Sequence, residues 1–199
     1  MDCSRSMFNE LGYSQVTIRM IAMKLNMSSG NLNYHYKKRD DIPEALYFEM
    51  VTVFDNRIEQ LDREAISLPK MKADIHTSMK RMVDYRFFWT DLYNLLQLNE
   101  TIRSHFNDAY TKRLTGFHFV FNTLIEKKIL KEPEFDGEHQ LLRERMIGFS
   151  NTWLYASTLY KENRIDQSFI ETQSNNLILM LYPNLTDLGK GQLRKLISG

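Results

Sequence analysis

From Phe106 onward the side chains Phe106, Tyr110, Leu114, Phe117, Phe121 and Leu124 recur at intervals of 4, 4, 3, 4 and 3. This is the 3.6-residue period of an α-helix, sustained over several turns, and it excludes a strand, whose period is two. Pro133 to Gly137 then makes a loop, and a second long stripe follows in Leu142, Met146, Phe149, Trp153, Ala156 and Tyr160. Two long amphipathic helices joined by a short loop must bury their apolar faces against each other or against further helices. The remainder supplies those partners. Ile75, Met79, Met82 and Val83 mark one helix, and Phe88, Leu92, Leu95 and Leu96 mark another. Phe169 to Tyr182, closed by Pro183, marks a third, with a short last helix over about 187–197. Gly and Pro occupy 8 and 4 positions, and no series of short alternating strands appears, so the expected fold class is all-α. The hydrophobic share of 43% is enough for a real core.

The first 48 residues are patterned differently. Cys3, Met7, Phe8 and Leu11 share a face that Gly12 stops. Thr17 stands as N-cap before Ile18, Ile21, Ala22 and Leu25, which define a second short helix ending near Asn26. Asn26 tolerates positive φ, so Asn26-Met27 can turn sharply, with Met27 inward and Ser28 capping a third helix to about Tyr36. Only Leu32 and Tyr36 give that third helix an inward face. Its remaining side chains, Ser29, Asn31, Asn33, Tyr34 and His35, are polar or mixed, so its exposed side is its purpose. Two short helices with a three-residue turn make a helix-turn-helix candidate. Six basic residues (Arg5, Arg19, Lys24, Lys37, Lys38, Arg39) against two acidic ones (Asp2, Glu10) fall in residues 1–39, although the whole chain is only +1. Cationic charge concentrated at one end suits a nucleic-acid surface. Asp40 and Asp41 favour the start of a fourth helix, whose N-cap Pro43 restricts to residues 40–42. Leu46, Met50, Val53, Phe54, Arg57, Ile58 and Leu61 carry one face of it to about residue 62.

The run Phe8-Asn9-Glu10-Leu11-Gly12-Tyr13, then Thr17-Ile18-Arg19-Met20-Ile21-Ala22, then Ser28 through Lys37 resembles the DNA-binding head of the TetR family of transcriptional regulators. The resemblance covers about fifty residues over three helices and two turns; beyond it the likeness is architectural. It implies a helix-turn-helix domain at 1–48, with helix 4 continuing as a connector to about 62, and an effector-binding and dimerisation domain at 63–199. It also implies roles for particular residues. Thr17 and Arg19 would meet backbone phosphates, Thr17 serving also as an ordinary cap. Ser28, Ser29, Asn31 and Asn33 would enter the major groove, the asparagines being suited to adenine. Tyr34 and His35 would hydrogen-bond phosphates, and Lys37, Lys38 and Arg39 would add sequence-independent attraction. Gly30 would let the backbone approach closely. The chain departs from the family pattern by starting almost at the motif, without the usual longer first helix and basic leader. It also has Asn33 for an aromatic residue, Asn26 for the turn glycine, and Pro43 at the start of the fourth helix.

For the second domain the resemblance implies a cavity and a four-helix homodimer interface built from helices at about 138–160 and 166–182. Tyr85, Phe88, Trp89, Tyr93, Phe106, Tyr110, Phe117, Phe121, Phe149 and Trp153 form an aromatic search area for a small-molecule effector of apolar or aromatic character. Each of them fits an ordinary core position equally well. No Arg or Lys cluster marks an anionic effector. The expected function is a repressor that leaves its double-stranded DNA operator when the effector binds. The alternatives are a DNA-binding dimer with no effector, governed by a protein partner or architectural, and an interaction module that ignores DNA.

Other classes find little support. The five histidines form no HExxH motif, and Cys3 has no evident base beside it, so no enzyme, cofactor or metal is expected. A single cysteine excludes a disulfide framework and fits a reducing cytoplasm. No N-terminal apolar region marks a signal peptide, and the apolar run Leu177 to Tyr182 is far too short for a bilayer, so neither secretion nor membrane insertion is expected.

Overall fold

A computed structural model describes residues 1–59, 62–160 and 165–198, with side chains at 53, 55–59 and 160 also outside the description. Among the described residues the chain forms eleven α-helices and no strand. They are α1 (Asp2–Leu11), α2 (Ile18–Lys24), α3 (Ser29–His35), α4 (Asp41–Glu59), α5 (Leu68–Asp84), α6 (Arg86–Thr90), α7 (Leu92–Leu98), α8 (Glu100–Glu126), α9 (Glu138–Tyr160), α10 (Gln167–Leu179) and α11 (Asp187–Ser198).

Local chemistry sets most helix starts. Thr17, Ser28, Ser67, Asn99 and Asp166 each accept a backbone N–H three residues on, at 2.9–3.3 Å, satisfying a donor that the helix leaves unpaired. Leu68-Pro69 begins α5, since proline in the first turn forfeits no hydrogen bond. Asn26 adopts the left-handed conformation expected of it, at φ 53°. At α4 the Asp40 carbonyl accepts the Glu44 N–H at 3.2 Å, so the N-cap lies within the predicted window and Pro43 sits in the first turn. The side chains of Val53, Arg57, Ile58 and Leu61, expected on the α4 face, and of Tyr160, expected on α9, lie outside the description.

Three expectations are corrected. The Phe88–Leu96 stripe spans two helices, because the chain turns at Asp91, whose carboxylate accepts from Asn94 Nδ2 at 2.6 Å. The 169–182 helix stops at Leu179 and gives way to a single 3-10 turn at Tyr182–Asn184. Leu11 and Leu25, placed on inward faces, are each more than two-fifths exposed because both stand at helix ends.

Packing joins the pieces into one core. α1, α2 and α3 form an N-terminal trio around Phe8, Ile21, Ala22 and Leu32. Behind it α5 packs on α10, α6 on α9, and α8 on α4 and α9. The trio is bolted to the larger bundle at the α5–α6 junction. Asn9 donates to the Asp84 carbonyl at 2.8 Å, accepts from Phe87 N–H at 3.1 Å, and offers its own carbonyl to Arg86 Nε at 3.1 Å. Phe8 stacks on Phe87 at 5.3 Å beside these bonds. Arg5 donates to the Tyr85 hydroxyl, which donates in turn to Glu49 on α4. At the far end, Leu130 and Leu185 form an isolated antiparallel bridge, and α11 closes against the carbonyl of Ile129 at Gly189.

Candidate nucleic-acid interface and ligand cavity

The third helix presents the surface its composition foretold. Leu32 is buried, whereas Ser28, Gly30, Asn31, Asn33, Tyr34 and His35 are exposed and Ser29 is half-buried. Tyr34 is 83% exposed, an unusual position for an aromatic ring, and it meets the neighbouring His35 edge-on at 5.4 Å. Ser28 Oγ is occupied in capping, accepting from Asn31 N–H at 3.1 Å. Among the described residues nothing holds the side-chain amides of Asn31 and Asn33. A Cβ added at Gly30 would meet only Ser28 Oγ, at 3.9 Å, so nothing within the chain requires glycine there.

Flanking this helix, Thr17 and Arg19 are exposed at the start of α2, and Lys37 and Lys38 are exposed beyond α3. Arg39 departs from its expected role. Its Nε donates to the Val16 carbonyl at 2.6 Å, its NH1 lies 3.2 Å from Asp40, and its guanidinium sits 4.3 Å from the Tyr13 ring centre. Arg39 thus ties the loop after α3 to the start of α2, and only Lys37 and Lys38 remain as free cations of the three. Tyr13 belongs to the same knot: burial, helped by its hydrogen bond to Asp40, pushes its hydroxyl up to about 12.

A cavity of about 520 Å³ opens inside the bundle, walled by α4, α5, α6, α8 and α9, with a contribution from Leu177 of α10. Tyr47, Val51 and Phe54 line it from α4, the helix that follows the three-helix trio directly. Its surface is mainly apolar, with Met79, Met82 and Trp89 deep in the wall. Asp62 and, from α5, Lys70, Asp74 and Ser78 also border it, and a further polar cluster lies on α8 and α9. Arg113 of α8 donates to Ser150 Oγ at 2.6 Å and to Asn151 Oδ1 at 2.8 Å, and burial pushes its pKa down to about 10. The group stays charged at neutral pH. No group of His, Cys, Asp or Glu among the described residues is arranged to hold a metal ion.

Residues 1–46 match the family model described as bacterial regulatory proteins of the tetR family, and residues 50–193 match the one described as a bacterial transcriptional repressor, TetR. The chain belongs to the TetR family. Members are DNA-binding transcriptional regulators, not enzymes, and they typically form dimers. The regulator's fold is that of a TetR-family transcriptional regulator from Marinobacter aquaeolei VT8, with a TM-score of 0.87 at 21% identity, covering 98% of this chain and 94% of that one. A TetR transcription regulator from Haloarcula marismortui is similar at a TM-score of 0.67 and 16% identity, covering 92% of this chain and 95% of that one. A transcriptional regulator from Cytophaga hutchinsonii is similar at 0.60 and 16% identity, covering 93% and 96%. No curated protein matches the chain in sequence. Among the described residues of this TetR-family chain no helix is long and apolar enough to cross a membrane.

Of the regulator's ten aromatic residues expected around an effector, Trp89, Phe106 and Phe117 line the cavity. Tyr85, Phe88, Phe121 and Trp153 are buried outside its wall, Phe149 packs half-buried against the core, and Tyr110 and Tyr93 face outward, Tyr93 at 73% exposure. Sequence reasoning missed Tyr47, the methionines of α5, and Arg113. A signal for the last existed: Phe106, Arg113, Phe117 and Val120 stand at i, i+7, i+11 and i+14, one helical face with a cation in it.

Proposed function

We propose that this TetR-family regulator is a ligand-responsive repressor that binds an operator as a homodimer and releases it when a small molecule fills the cavity. The observation that carries this reading is the double duty of α4. It follows the DNA-facing helices directly, and its Tyr47, Val51 and Phe54 form one wall of the cavity. A ligand that favours one position of that wall favours one separation of the two heads, and DNA affinity falls by the ligand's differential affinity for the two states.

In this reading residues 1–48 are the DNA-binding head, the connector that α4 begins runs to about 62, and 63–199 bind effector and partner copy. Asn31 and Asn33 read bases. Ser28 and Ser29 enter the major groove with them and Gly30 allows close approach, while Thr17, Arg19, Tyr34, His35, Lys37 and Lys38 hold phosphates. α9 and α10 supply the dimer interface. On α9, Leu141, Arg145, Gly148, Thr152, Tyr155 and Leu159 are exposed at intervals of 4, 3, 4, 3 and 4, a complete helical face left uncovered by the chain itself. A stripe of that kind, apolar at both ends and small at the centre, suits a two-fold helix pairing. The site of action is the cytoplasm, where the operator lies.

The test is selection of bound duplexes from random DNA, followed by titration of the selected site across salt concentrations. A palindromic site and an affinity that falls steeply with log salt are expected. A compound that raises Tm by binding the folded state should then weaken operator affinity. Unchanged affinity in its presence would leave the alternative, a DNA-binding dimer governed by a protein partner or acting architecturally.

A further inference from the structure

The cavity holds a charge that its walls do not answer. Arg113 shares a face of α8 with Phe106 and Phe117, and its two acceptors, Ser150 and Asn151, are neutral and also border the cavity. Among the described residues no carboxylate pairs with it or raises its pKa. The two carboxylates at the cavity edge are engaged elsewhere: Asp74 pairs with Lys70 at 2.6 Å, and Asp62 accepts the Glu64 N–H at 3.1 Å. An uncompensated, half-buried guanidinium on a cavity wall is costly to keep, and packing alone would be better served by an apolar side chain of similar volume. Ser150 and Asn151 fix the plane of the group, and it carries more N–H donors than these two acceptors use. A planar, oriented fork of donors is the recognition element for a carboxylate.

We infer that the effector is an amphipathic monoanion, a carboxylate on an apolar body, with Arg113 anchoring the head and the wall around Met79, Met82, Trp89 and Phe106 enclosing the body. One carboxylate balances one unanswered cation, whereas a phosphate dianion would bring more charge than the site can neutralise. The cavity volume of about 520 Å³ falls within the ~300–1,000 Å³ usual for small-molecule sites. This inference rests on the cavity being the effector site of the proposed function.

The experiment uses the intact chain and a panel of straight-chain and aryl-substituted alkanoates, each paired with its primary amide and kept below the concentration at which it aggregates. Binding is read from tryptophan fluorescence, since Trp89 borders the cavity, and from the shift in Tm. At least one carboxylate should bind about ten- to a hundredfold tighter than its amide. Arg113→Gln should abolish that preference, costing the carboxylate far more affinity than its amide. A carbonyl-13C label on the bound carboxylate should titrate at lower pH than in water, because the guanidinium holds it ionised; this and the wild-type comparison decide the matter if the variant does not fold. Equal binding of carboxylates and amides, with release of DNA by both, overturns the anionic anchor and leaves the effector site standing. A carboxylate preference lost in Arg113→Gln, with operator affinity untouched by the ligand, supports the anchor and overturns the release mechanism instead. Binding by no member of the panel overturns the inference.

Discussion

Arg39 and Lys38 are adjacent and carry the same charge, but their surroundings give them opposite jobs. Arg39 is bonded to Val16 and laid over Tyr13, so Arg39→Ala should lower the stability of the folded chain by about 1–3 kcal/mol, measured by urea denaturation. Lys38→Ala should leave the denaturation midpoint where it is and reduce the slope of log K against log salt by about 1 if its ammonium neutralises one phosphate. Gly30 gives a second contrast. Its missing side chain relieves no clash within the protein, so Gly30→Ala should stabilise the helix by about 0.5–1 kcal/mol. The same variant should weaken operator binding if the backbone approaches DNA closely there; an alanine variant with higher Tm and undiminished affinity would remove Gly30 from the interface. The residues legible in the sequence are those whose role is settled within a few positions. Thr17 and Ser28 could be recognised as caps because a hydroxyl and an N–H three residues later suffice. Arg39 could not be assigned, since the Val16 carbonyl and Tyr13 ring that hold it are brought close only by the turn of the whole trio.

Among the elements, the long helices and the three short ones of the head follow from spacing, whereas the break between α6 and α7 left no trace. No glycine or proline marks Asp91, and the apolar interval from Phe88 to Leu92 runs across it as though the helix continued. The cavity wall was obscured for a related reason. Periodicity tells that a helix has an inward face, but which inward residues meet a neighbour and which border empty space depends on how five helices converge. Hence Phe88 of α6 and Phe106 of α8, only 6.4 Å apart as rings, divide between packed core and cavity lining. The placement of α11 tests how close these elements come. A Cβ on Gly189 would collide with the Ile129 carbonyl, a backbone atom that cannot turn aside. Gly189→Ala should therefore destabilise by about 1–3 kcal/mol, against the usual preference of helices for alanine, and hydrogen exchange should show α11 loosened first.

At the scale of the molecule, acid stability has identifiable sources. His139 is buried with Nε2 unpartnered and its ring edge-on to Phe121 at 5.6 Å, and burial lowers its pKa. The unfolded chain therefore takes up this proton first as pH falls through the ordinary histidine value of about 6.5, and folding stability declines from there. Glu171 acts lower in pH: its hydrogen bond from Lys72 depresses its pKa, so its contribution is present above the usual carboxylate range and is lost as pH falls through the depressed value. His139→Leu should flatten the decline of Tm that sets in as pH falls below about 6.5 and leave the later, carboxylate decline intact, as measured by calorimetry across pH. If the Tm profile of the variant overlays that of the original, His139 is not the source.

If α4 is at once a cavity wall and the stem of the reading head, as the proposed function has it, a change to one task reaches the other through the same helix. Enlarging the chamber from that side, for example with Phe54→Ala, should disturb operator affinity even with nothing bound, while an equal enlargement from α8 with Phe117→Ala should not. On the proposed mechanism, a lineage altering its chemical signal would find the easier road on α8 and α9, so that new inducers arise there while the inherited DNA address is kept.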